Sequence, residues 1–178
     1  MNHSVAIGLI GHARAGKTTL ARAIGVRLPH ARHVSFSTAI RAEATRRGVD
    51  SADRNTLIAI GQRWVDQDPM GLVRATIAEH LGCPVLVIDG VRHVEVADAL
   101  RTLLHPRPLH LAYLDAPWAL LIERLVADGA TRETAERLLG GPTEIQVEGP
   151  LRTLATLHLD ARQPADELAD QVVRAALM

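Results

Sequence analysis

The chain has 178 residues, of which 47% are hydrophobic and 22% charged, and its formal net charge at pH 7 is zero. These values are typical of one globular domain with a full core. Because the charges balance and aromatic residues make up only 2%, binding to nucleic acid polymers or to membrane surfaces is not expected. The single cysteine, Cys83, excludes an internal disulfide and a cysteine-rich zinc site.

No apolar run in the sequence reaches the length of a membrane span, and no secretory signal precedes Val5. We therefore expect a cytoplasmic protein. The sequence leaves the oligomeric state open, with a homodimer as one option.

Predicted strands and helices alternate along the chain. The strands are expected at 3–10, 33–37, 84–89, 109–114 and 156–159. The helices are expected at 18–28, 38–47, from 51 or 53 to 65, and at 69–81, 94–104, 117–127, 131–139 and 164–177, with Ser37 or Thr38 capping the second. Repeated strand–helix units predict a three-layer α/β fold for residues 1–178, a parallel sheet with helices on both faces. Ligands of such sheets bind at the carboxyl ends of the strands.

One segment between the first strand and the first helix carries the strongest chemical signal. Lys17 is the only lysine of the chain, and its surroundings have the spacing G-x-x-x-x-G-K-[ST] of a phosphate-binding P-loop. An arginine at position 17 would be too large and planar for the same role. The predicted nucleotide-binding residues are Gly11, His12, Ala13, Arg14, Ala15, Gly16, Lys17, Thr18 and Thr19.

The chemistry of this loop requires each residue type. Glycines let backbone N–H groups turn towards phosphate oxygens, Lys17 supplies a compact charge, and the Thr18 hydroxyl is a ligand for Mg²⁺. The sequence therefore predicts ATP and Mg²⁺ as cofactors. Arg14 either covers a phosphate or faces solvent, and the sequence does not decide between the two.

A second candidate site ends the apolar strand at 84–89. Asp89 would lie beside the P-loop and hold Mg²⁺ directly or through water, although a helix-capping role is the alternative. Arg92 follows after a glycine and would face the cleft, unless it forms a surface ion pair with Glu95. We interpret the nine histidines as surface residues rather than metal ligands, since only His30 and His33 are close in sequence.

Three segments resemble the nucleoside monophosphate kinase superfamily. They are Phe36-Ser-Thr-Ala-Ile-Arg41-Ala-Glu, Asp89-Gly-Val-Arg92, which lacks the family's proline, and Tyr113-Leu-Asp-Ala-Pro117 through Arg124. The resemblance implies that Arg41 and Arg92 bind the acceptor phosphate. It also implies a helical acceptor region at about 38–81 and a short lid at about 128–144, from which Arg132 or Arg137 would join Arg124 at the transferring phosphate.

A finer resemblance is to a branch that includes phage-type deoxynucleoside monophosphate kinases, animal phosphomevalonate kinases and dephospho-CoA-kinase-like proteins. It rests on Ile60-Gly-Gln-Arg63, Asp68-Pro69, Val87-Ile-Asp-Gly-Val-Arg92-x-x-Glu95 and Pro142-Thr-Glu144. It implies acceptor contacts from Ser37, Arg63, Trp64, Asp68 and Glu144. Arg162 belongs to the segment 160–163 after the last strand, which we expect near the donor adenine. The alternative interpretations are that Trp64 is a core residue and that Glu144 is solvated in a mobile loop.

These patterns predict phosphoryl transfer from ATP to a small phosphorylated metabolite, foremost a (deoxy)nucleoside monophosphate. Lys17, Asp89, Arg124 and Arg132 would be catalytic, with Asp89 as the base if the acceptor group is a hydroxyl. Alternatives are a kinase of dephospho-CoA, of a phosphomevalonate-like compound or of an unusual nucleotide, and a noncatalytic ATP-binding protein. A switch GTPase does not fit, because the guanine-reading Asn-Lys-x-Asp element is absent.

Overall fold

The computed structural model describes residues 4–177, without the side chains of Arg54 and Pro142. Its strands are β1 Val5–Ile10, β2 Ala31–Ser35, β3 Val85–Asp89, β4 Leu109–Asp115 and β5 Leu157–Asp160. They form one sheet in the order β2-β3-β1-β4-β5, and all of its neighbouring pairs are parallel. The predicted parallel α/β fold is confirmed. The predicted strand start at His3 lies outside the described residues.

Helices connect and cover the strands. They are α1 Lys17–Arg27, α2 Phe36–Arg46, α3 Arg54–Gln67, α4 Pro69–Ile77, α5 Val94–Leu104, α6 Trp118–Ala127, α7 Arg132–Leu139, α8 Pro142–Gln146, α9 Arg152–Leu154 and α10 Ala165–Leu177. A 3₁₀ turn, Ala78–His80, follows α4, and a π-helical turn, Val147–Leu151, joins α8 to α9. Within residues 4–177, no helix combines the length and apolar character needed to cross a membrane.

The sheet divides the core into two apolar clusters, because successive side chains of a strand point to opposite faces. In β1, Val5, Ile7 and Leu9 belong to the cluster that includes residues of α1, α6, α7 and α10. Ala6 and Ile10 belong to the other cluster, with residues of α3, α4 and α5. Both faces are thus buried, as the continuous apolar runs in the strands predict.

The strand order brings the chemical segments to one edge of the sheet. β3 lies between β1 and β2, and Asp89 at its carboxyl end is in register with Leu9 on one side and Ser35 on the other. The loop that follows β1 begins one residue after Ile10. The loop at 11–18 and the carboxylate of Asp89 therefore lie close together, at the edge of the sheet formed by the carboxyl ends of the strands.

The second strand and the helix after it begin earlier than predicted. β2 ends at Ser35, and α2 begins at Phe36, so neither Ser37 nor Thr38 is the cap. Ser35 is the cap, because its hydroxyl accepts a hydrogen bond from the Ser37 backbone N–H at 3.3 Å. The sequence pattern could not decide between Ser35 and Ser37, because serine is an equally suitable cap at both positions.

The segment 140–155 differs most from the prediction. A mobile loop was expected around Glu144, but α8, the π turn and α9 occupy this stretch, and Val147 and Leu151 are fully buried. Within the predicted lid at 128–144, α7 packs into the core through Ala135 and Leu139. The roles assigned to the lid and to the region 38–81 remain predictions.

Candidate functional site

The loop between β1 and α1 has the backbone of a phosphate cradle. Gly11 and Gly16 adopt positive φ angles of 150° and 104°. A Cβ atom on Gly11 would lie 3.1 Å from the Leu114 carbonyl oxygen, so the close approach to β4 requires glycine. No side chain caps α1. Its first N–H groups and the positive end of its dipole therefore face the loop, which favours an anion.

Lys17 lies across this loop. Its Nζ donates hydrogen bonds to the carbonyl oxygens of Gly11 and His12 at 2.8 and 2.7 Å. Burial, together with the positive charge of Arg92, lowers the pKa of Lys17 to about 7, although Asp89 and Glu144 oppose the shift. Phosphate oxygens bound here would favour the charged ammonium.

Thr18 and Asp89 form the second polar contact of the site. The Thr18 hydroxyl donates to Asp89 Oδ2 at 2.6 Å, and His33 Nε2 lies 3.8 Å from the same oxygen, too far for a hydrogen bond. Burial raises the pKa of Asp89, but His33, Thr18 and the charge of Lys17 outweigh it and hold the pKa below its usual value. Asp89 is therefore an anion at neutral pH.

Glu144 lies at the centre of a buried charge cluster. Its Oε2 is 2.7 Å from His12 Nδ1 and accepts a longer bond, 3.4 Å, from the Ala13 N–H. Its Oε1 is 2.8 Å from a terminal nitrogen of Arg92. Burial raises the pKa of Glu144, but the contacts with His12 and Arg92 lower it below its ordinary value overall. The alternative of a solvated Glu144 is therefore wrong, and Arg92 pairs with Glu144 rather than with Glu95.

Arg124 supports the loop from α6. Its guanidinium donates to the carbonyl oxygens of Arg14 at 2.9 Å and Ala15 at 3.2 Å, and more weakly to that of Ala161 at 3.4 Å. Arg14 has a positive φ of 65°, an uncommon conformation outside glycine. Its side chain pairs with Asp128 at 2.5 Å, and both side chains are about half exposed.

Two cavities open on either side of Lys17 and Thr18, and we label them donor-side and acceptor-side after the roles that the sequence predicts. The donor-side cavity, of about 520 Å³, lies between the loop, α6 and the segment after β5. The acceptor-side cavity, of about 330 Å³, lies between the loop, the end of β3 and helices α2, α3 and α5. Lys17 and Thr18 line both cavities.

The acceptor-side cavity has both polar and apolar lining residues. Asp89, Arg92 and His93 line it together with Lys17 and Thr18. Its apolar lining residues include Phe36, Ile40, Leu57, Ile58, Val65 and Leu72. His93 is buried, and its Nδ1 has no hydrogen-bond partner among the described residues. Burial lowers the pKa of His93, which keeps the imidazole neutral.

Several predicted residues lie away from these cavities. Ser37 and Arg92 line the acceptor-side cavity, but Arg41, Arg63, Trp64 and Asp68 are not among its lining residues. Arg41 and Arg63 are exposed, Trp64 packs against the apolar cluster that contains Val65, and Asp68 caps α4 by accepting from the Gly71 N–H at 2.7 Å. Their binding roles remain predictions.

The remaining arginines make local ion pairs. Arg132 pairs with Glu136 at 3.0 Å and Arg137 with Glu133 at 3.7 Å, both on the exposed side of α7. Arg162 pairs with Asp160 at 2.6 Å and is exposed, whereas its neighbours Ala161 and Gln163 line the donor-side cavity. In this arrangement none of the three arginines contacts the loop, and their catalytic or binding roles remain predictions.

The sequence analysis did not predict His33, His93 or Gln62 as residues of the site. His12 and His93 are buried, so the interpretation of all histidines as surface residues is wrong. His93 and Gln62 line the acceptor-side cavity, and His33 lies next to Asp89. For two of these residues the sequence held a signal. His93 comes directly after Asp89-Gly-Val-Arg92, and Gln62 lies within Gly61-Gln62-Arg63.

Comparison with protein families gives a match over residues 10–138 to the family described as an AAA domain. The chain belongs to this family. No curated protein matches it. The matched range includes the loop at 11–18.

Solved structures share the fold across the whole chain. Shikimate kinase from Acinetobacter baumannii is 19% identical with a TM-score of 0.60, covering 97% of this chain and 93% of that one. A gluconokinase from Sinorhizobium meliloti 1021 is 18% identical with a TM-score of 0.57, covering 98% and 94%. A protein from Chloroflexus aurantiacus J-10-fl assigned to the kinases is 18% identical with a TM-score of 0.63, covering 97% and 98%.

These identities are low, so the likeness shows the fold alone. The chain has the fold that these small-molecule kinases share. The similarity extends to kinases of different acceptors and does not single out the nucleoside monophosphate kinase branch.

Proposed function

We propose that the protein transfers the γ-phosphate of ATP, with Mg²⁺, to a small phosphorylated metabolite. The observation that carries this proposal is the meeting of two cavities at Lys17 and Thr18. One cavity adjoins the phosphate cradle and the other opens beside Asp89 and Arg92. Phosphoryl transfer needs such an arrangement, because the acceptor group must attack the γ-phosphate in line with the leaving oxygen. A positive charge between the two cavities can stabilise the phosphate during transfer.

The donor side is suited to a nucleoside triphosphate. Backbone N–H groups at the start of α1 and the Lys17 ammonium would hold the phosphate oxygens. Arg124 fixes the Arg14 and Ala15 carbonyl groups, so the loop is held in shape before the nucleotide binds. This preorganisation reduces the entropy lost on binding.

The residues present fit a magnesium ion. The Thr18 hydroxyl and the ionised Asp89 carboxylate are hard oxygen ligands, and their oxygens lie 2.6 Å apart beside the cradle. Thr18 would bind the ion directly and Asp89 directly or through water. When bound, Mg²⁺ neutralises charge on the phosphate oxygens. Lys17 would add the second positive charge, and Asp89 would accept the proton if the acceptor group is a hydroxyl.

For the acceptor we propose a (deoxy)nucleoside monophosphate. Arg92 would bind its phosphate, and the wall formed by α2 and α3 would contact the base. Kinases of a phosphomevalonate-like compound or of an unusual nucleotide are the alternatives. Dephospho-CoA fits less well, because a cavity of about 330 Å³ is near the lower limit for ligand pockets.

Release of ADP from Mg·ATP with a panel of acceptors tests this function. The panel holds the common nucleoside monophosphates and deoxynucleoside monophosphates, phosphomevalonate, dephospho-CoA, shikimate and gluconate, and Lys17→Ala is the control. Stimulation by one nucleoside monophosphate supports the proposal. Bound ATP without stimulation by any acceptor contradicts it and favours a noncatalytic ATP-binding protein.

A further inference from the structure

Gln62 lies on the face of α3 that lines the acceptor-side cavity. The lining residues from this helix are Leu57, Ile58, Gly61, Gln62 and Val65. They are one, three or four positions apart, so they share one face of the helix. Gln62 carries the one polar side chain among these five. It is therefore the side chain of α3 that can form a hydrogen bond with a ligand in the cavity.

Asp66 fixes the orientation of the Gln62 amide. Gln62 Nε2 donates a hydrogen bond to Asp66 Oδ1 at 2.8 Å, one turn further along the helix. A carboxylate only accepts hydrogen bonds at neutral pH, so the amide nitrogen faces Asp66 and the carbonyl oxygen is turned away from it. Among the described residues, no group donates to Gln62 Oε1. The amide thus adds a hydrogen-bond acceptor of fixed orientation to the lining of the cavity.

The groups that would bind the acceptor phosphate have the opposite chemistry. Lys17 and Arg92 are cationic donors that line the cavity from α1 and from the segment after β3. Phosphate oxygens accept hydrogen bonds and would pair with these donors. Gln62 Oε1 has no hydrogen to donate to a phosphate, so its ligand must be an N–H or O–H group in another part of the acceptor.

The apolar neighbours of Gln62 in the lining strengthen this preference. Phe36, Ile40 and Val65 line the same cavity. Beside apolar surface a hydrogen bond is stronger than in water, and a polar group that loses its partner there costs more free energy. A ligand group that donates to Gln62 is therefore favoured. A carbonyl oxygen in the same place would meet another acceptor and be disfavoured.

We propose that Gln62 is a specificity-determining residue, whose carbonyl oxygen accepts a hydrogen bond from an amino group or ring N–H of the acceptor's base. Asp66 is the positioning residue that keeps the amide in this orientation. This inference rests on the proposed nucleoside monophosphate acceptor and adds how its base is recognised. Without Asp66 the amide would be free to rotate and to offer its NH₂ group, which pairs with carbonyl oxygens instead.

Nucleotides that differ by one hydrogen-bond donor test the proposal. The protein is saturated with Mg·ADP and titrated calorimetrically with AMP, CMP, GMP and dTMP. Each nucleotide is compared with analogues that lack a donor: purine riboside 5′-monophosphate for AMP, the 4-deamino analogue for CMP, IMP and 1-methyl-GMP for GMP, and 3-methyl-dTMP for dTMP. For the nucleotide that binds most tightly, we expect an analogue to bind about fivefold more weakly, since one hydrogen bond is lost. Equal affinity of that nucleotide and its analogues, or no binding of any nucleotide, would overturn the proposal.

Gln62→Leu shows whether the recognition depends on this side chain. The substitution removes the amide and keeps an apolar side chain of similar size, so the nucleotide and its analogue should bind with affinities within about twofold of each other. Gln67→Leu is the matched control, because Gln67 is exposed at the end of the same helix. It should keep the affinity ratio of the parent. An added methyl group that only clashes would weaken the analogue equally in Gln62→Leu and in the parent, so an unchanged ratio in Gln62→Leu would contradict the proposal.

Asp66→Ala tests the positioning role. Asp66 is exposed, so the variant should fold, and Gln62 is still present. We expect the ratio between nucleotide and analogue to fall towards one, because the freed amide can turn either side to the base. A residue that only stabilised α3 would change both affinities by the same factor and leave the ratio unchanged. Asp98→Ala, which loses an exposed pair with Arg101, is the control. The full parental ratio in Asp66→Ala would contradict the role of Asp66.

Failure of this inference is distinguishable from failure of the proposed function. The titrations measure binding and need no phosphoryl transfer. Equal affinities of the nucleotide and its analogues, together with acceptor-dependent ADP release, would reject the role of Gln62 alone. A ratio that depends on Gln62, without ADP release for any acceptor, would support the recognition and reject the kinase activity.

Discussion

Glu144 Oε2 lies 2.7 Å from His12 Nδ1, and both side chains are almost fully buried. Glu144 belongs to α8, at the end of the predicted lid, whereas His12 belongs to the loop at 11–18 that is predicted to hold phosphate. The other carboxylate oxygen of Glu144 pairs with Arg92 in the acceptor-side cavity. A single carboxylate thus fixes the loop at 11–18 and Arg92 relative to each other.

Replacing Glu144 with glutamine should destabilise the protein. The substitution keeps the shape but removes the negative charge that Arg92 and His12 contact, and loss of one member of a buried pair costs about 3 kcal/mol. Urea unfolding followed by circular dichroism measures the change. The control is Glu148→Gln on the exposed side of the π turn, which should stay within about 0.5 kcal/mol of the parent. Equal stability of both variants would show that the pair contributes nothing.

The contribution of Glu144 should depend on pH. Its pKa in the folded protein is lower than the ordinary value of 4.5. Its stabilising effect is therefore complete above that ordinary value and is lost as pH falls through the lower folded value. The difference in unfolding free energy between the parent and Glu144→Gln should be constant from neutral pH to about pH 5 and shrink in more acidic solution. A difference that grows on acidification would contradict this assignment.

Arg124→Ala should weaken nucleotide binding more than it slows the chemical step. Arg124 contacts two carbonyl groups of the loop, and hydrogen bonds from a charged group contribute about 1.5–3 kcal/mol each. We expect the Kd for Mg·ATP to rise at least about tenfold, as measured by calorimetry. Arg101→Ala, which loses only an exposed pair with Asp98, is the control. A lower turnover with an unchanged Kd would instead assign Arg124 to the transition state alone.

Asp128→Asn should release Arg14 towards the donor-side cavity. The pair is about half exposed, so stability should change little. Arg14 lines that cavity, and a freed guanidinium would meet the phosphates. We expect Mg·ATP affinity to rise by a small factor, about two- to fivefold, more strongly at low ionic strength. Arg14→Ala in the same background should remove the gain; a gain that persists would have another source.

Local patterns in the sequence predicted much of the fold. The run Val85–Asp89 and the flanks of the loop at 11–18 show strands and a helix directly, because buried strands and P-loops have strong local signatures. Asp89 beside Thr18 follows from the rule for parallel sheets. The only lysine of the chain, Lys17, lies at the P-loop position where an arginine would be too large and planar.

The long-range contacts of the site could not be predicted. His12 and Glu144 are 132 residues apart, and nothing in the sequence near Glu144 reveals that α8 turns it inward. The exposure of Arg41, like the packing of Trp64 into the core, depends on how α2 and α3 are rotated against the sheet. Apolar periodicity shows which face of a helix is buried, but it does not assign the neighbouring polar residues to a cavity.

Transfer of phosphate from Mg·ATP to an acceptor, followed by ³¹P NMR of the products, tests the central claim most directly. The parent protein, Lys17→Ala and Lys17→Arg are compared with the acceptor that most stimulates ADP release. We predict a new phosphoryl product with the parent, and a loss of about a thousandfold or more in rate with both variants. No phosphorylated acceptor from the parent, or undiminished product from Lys17→Ala, would contradict the account.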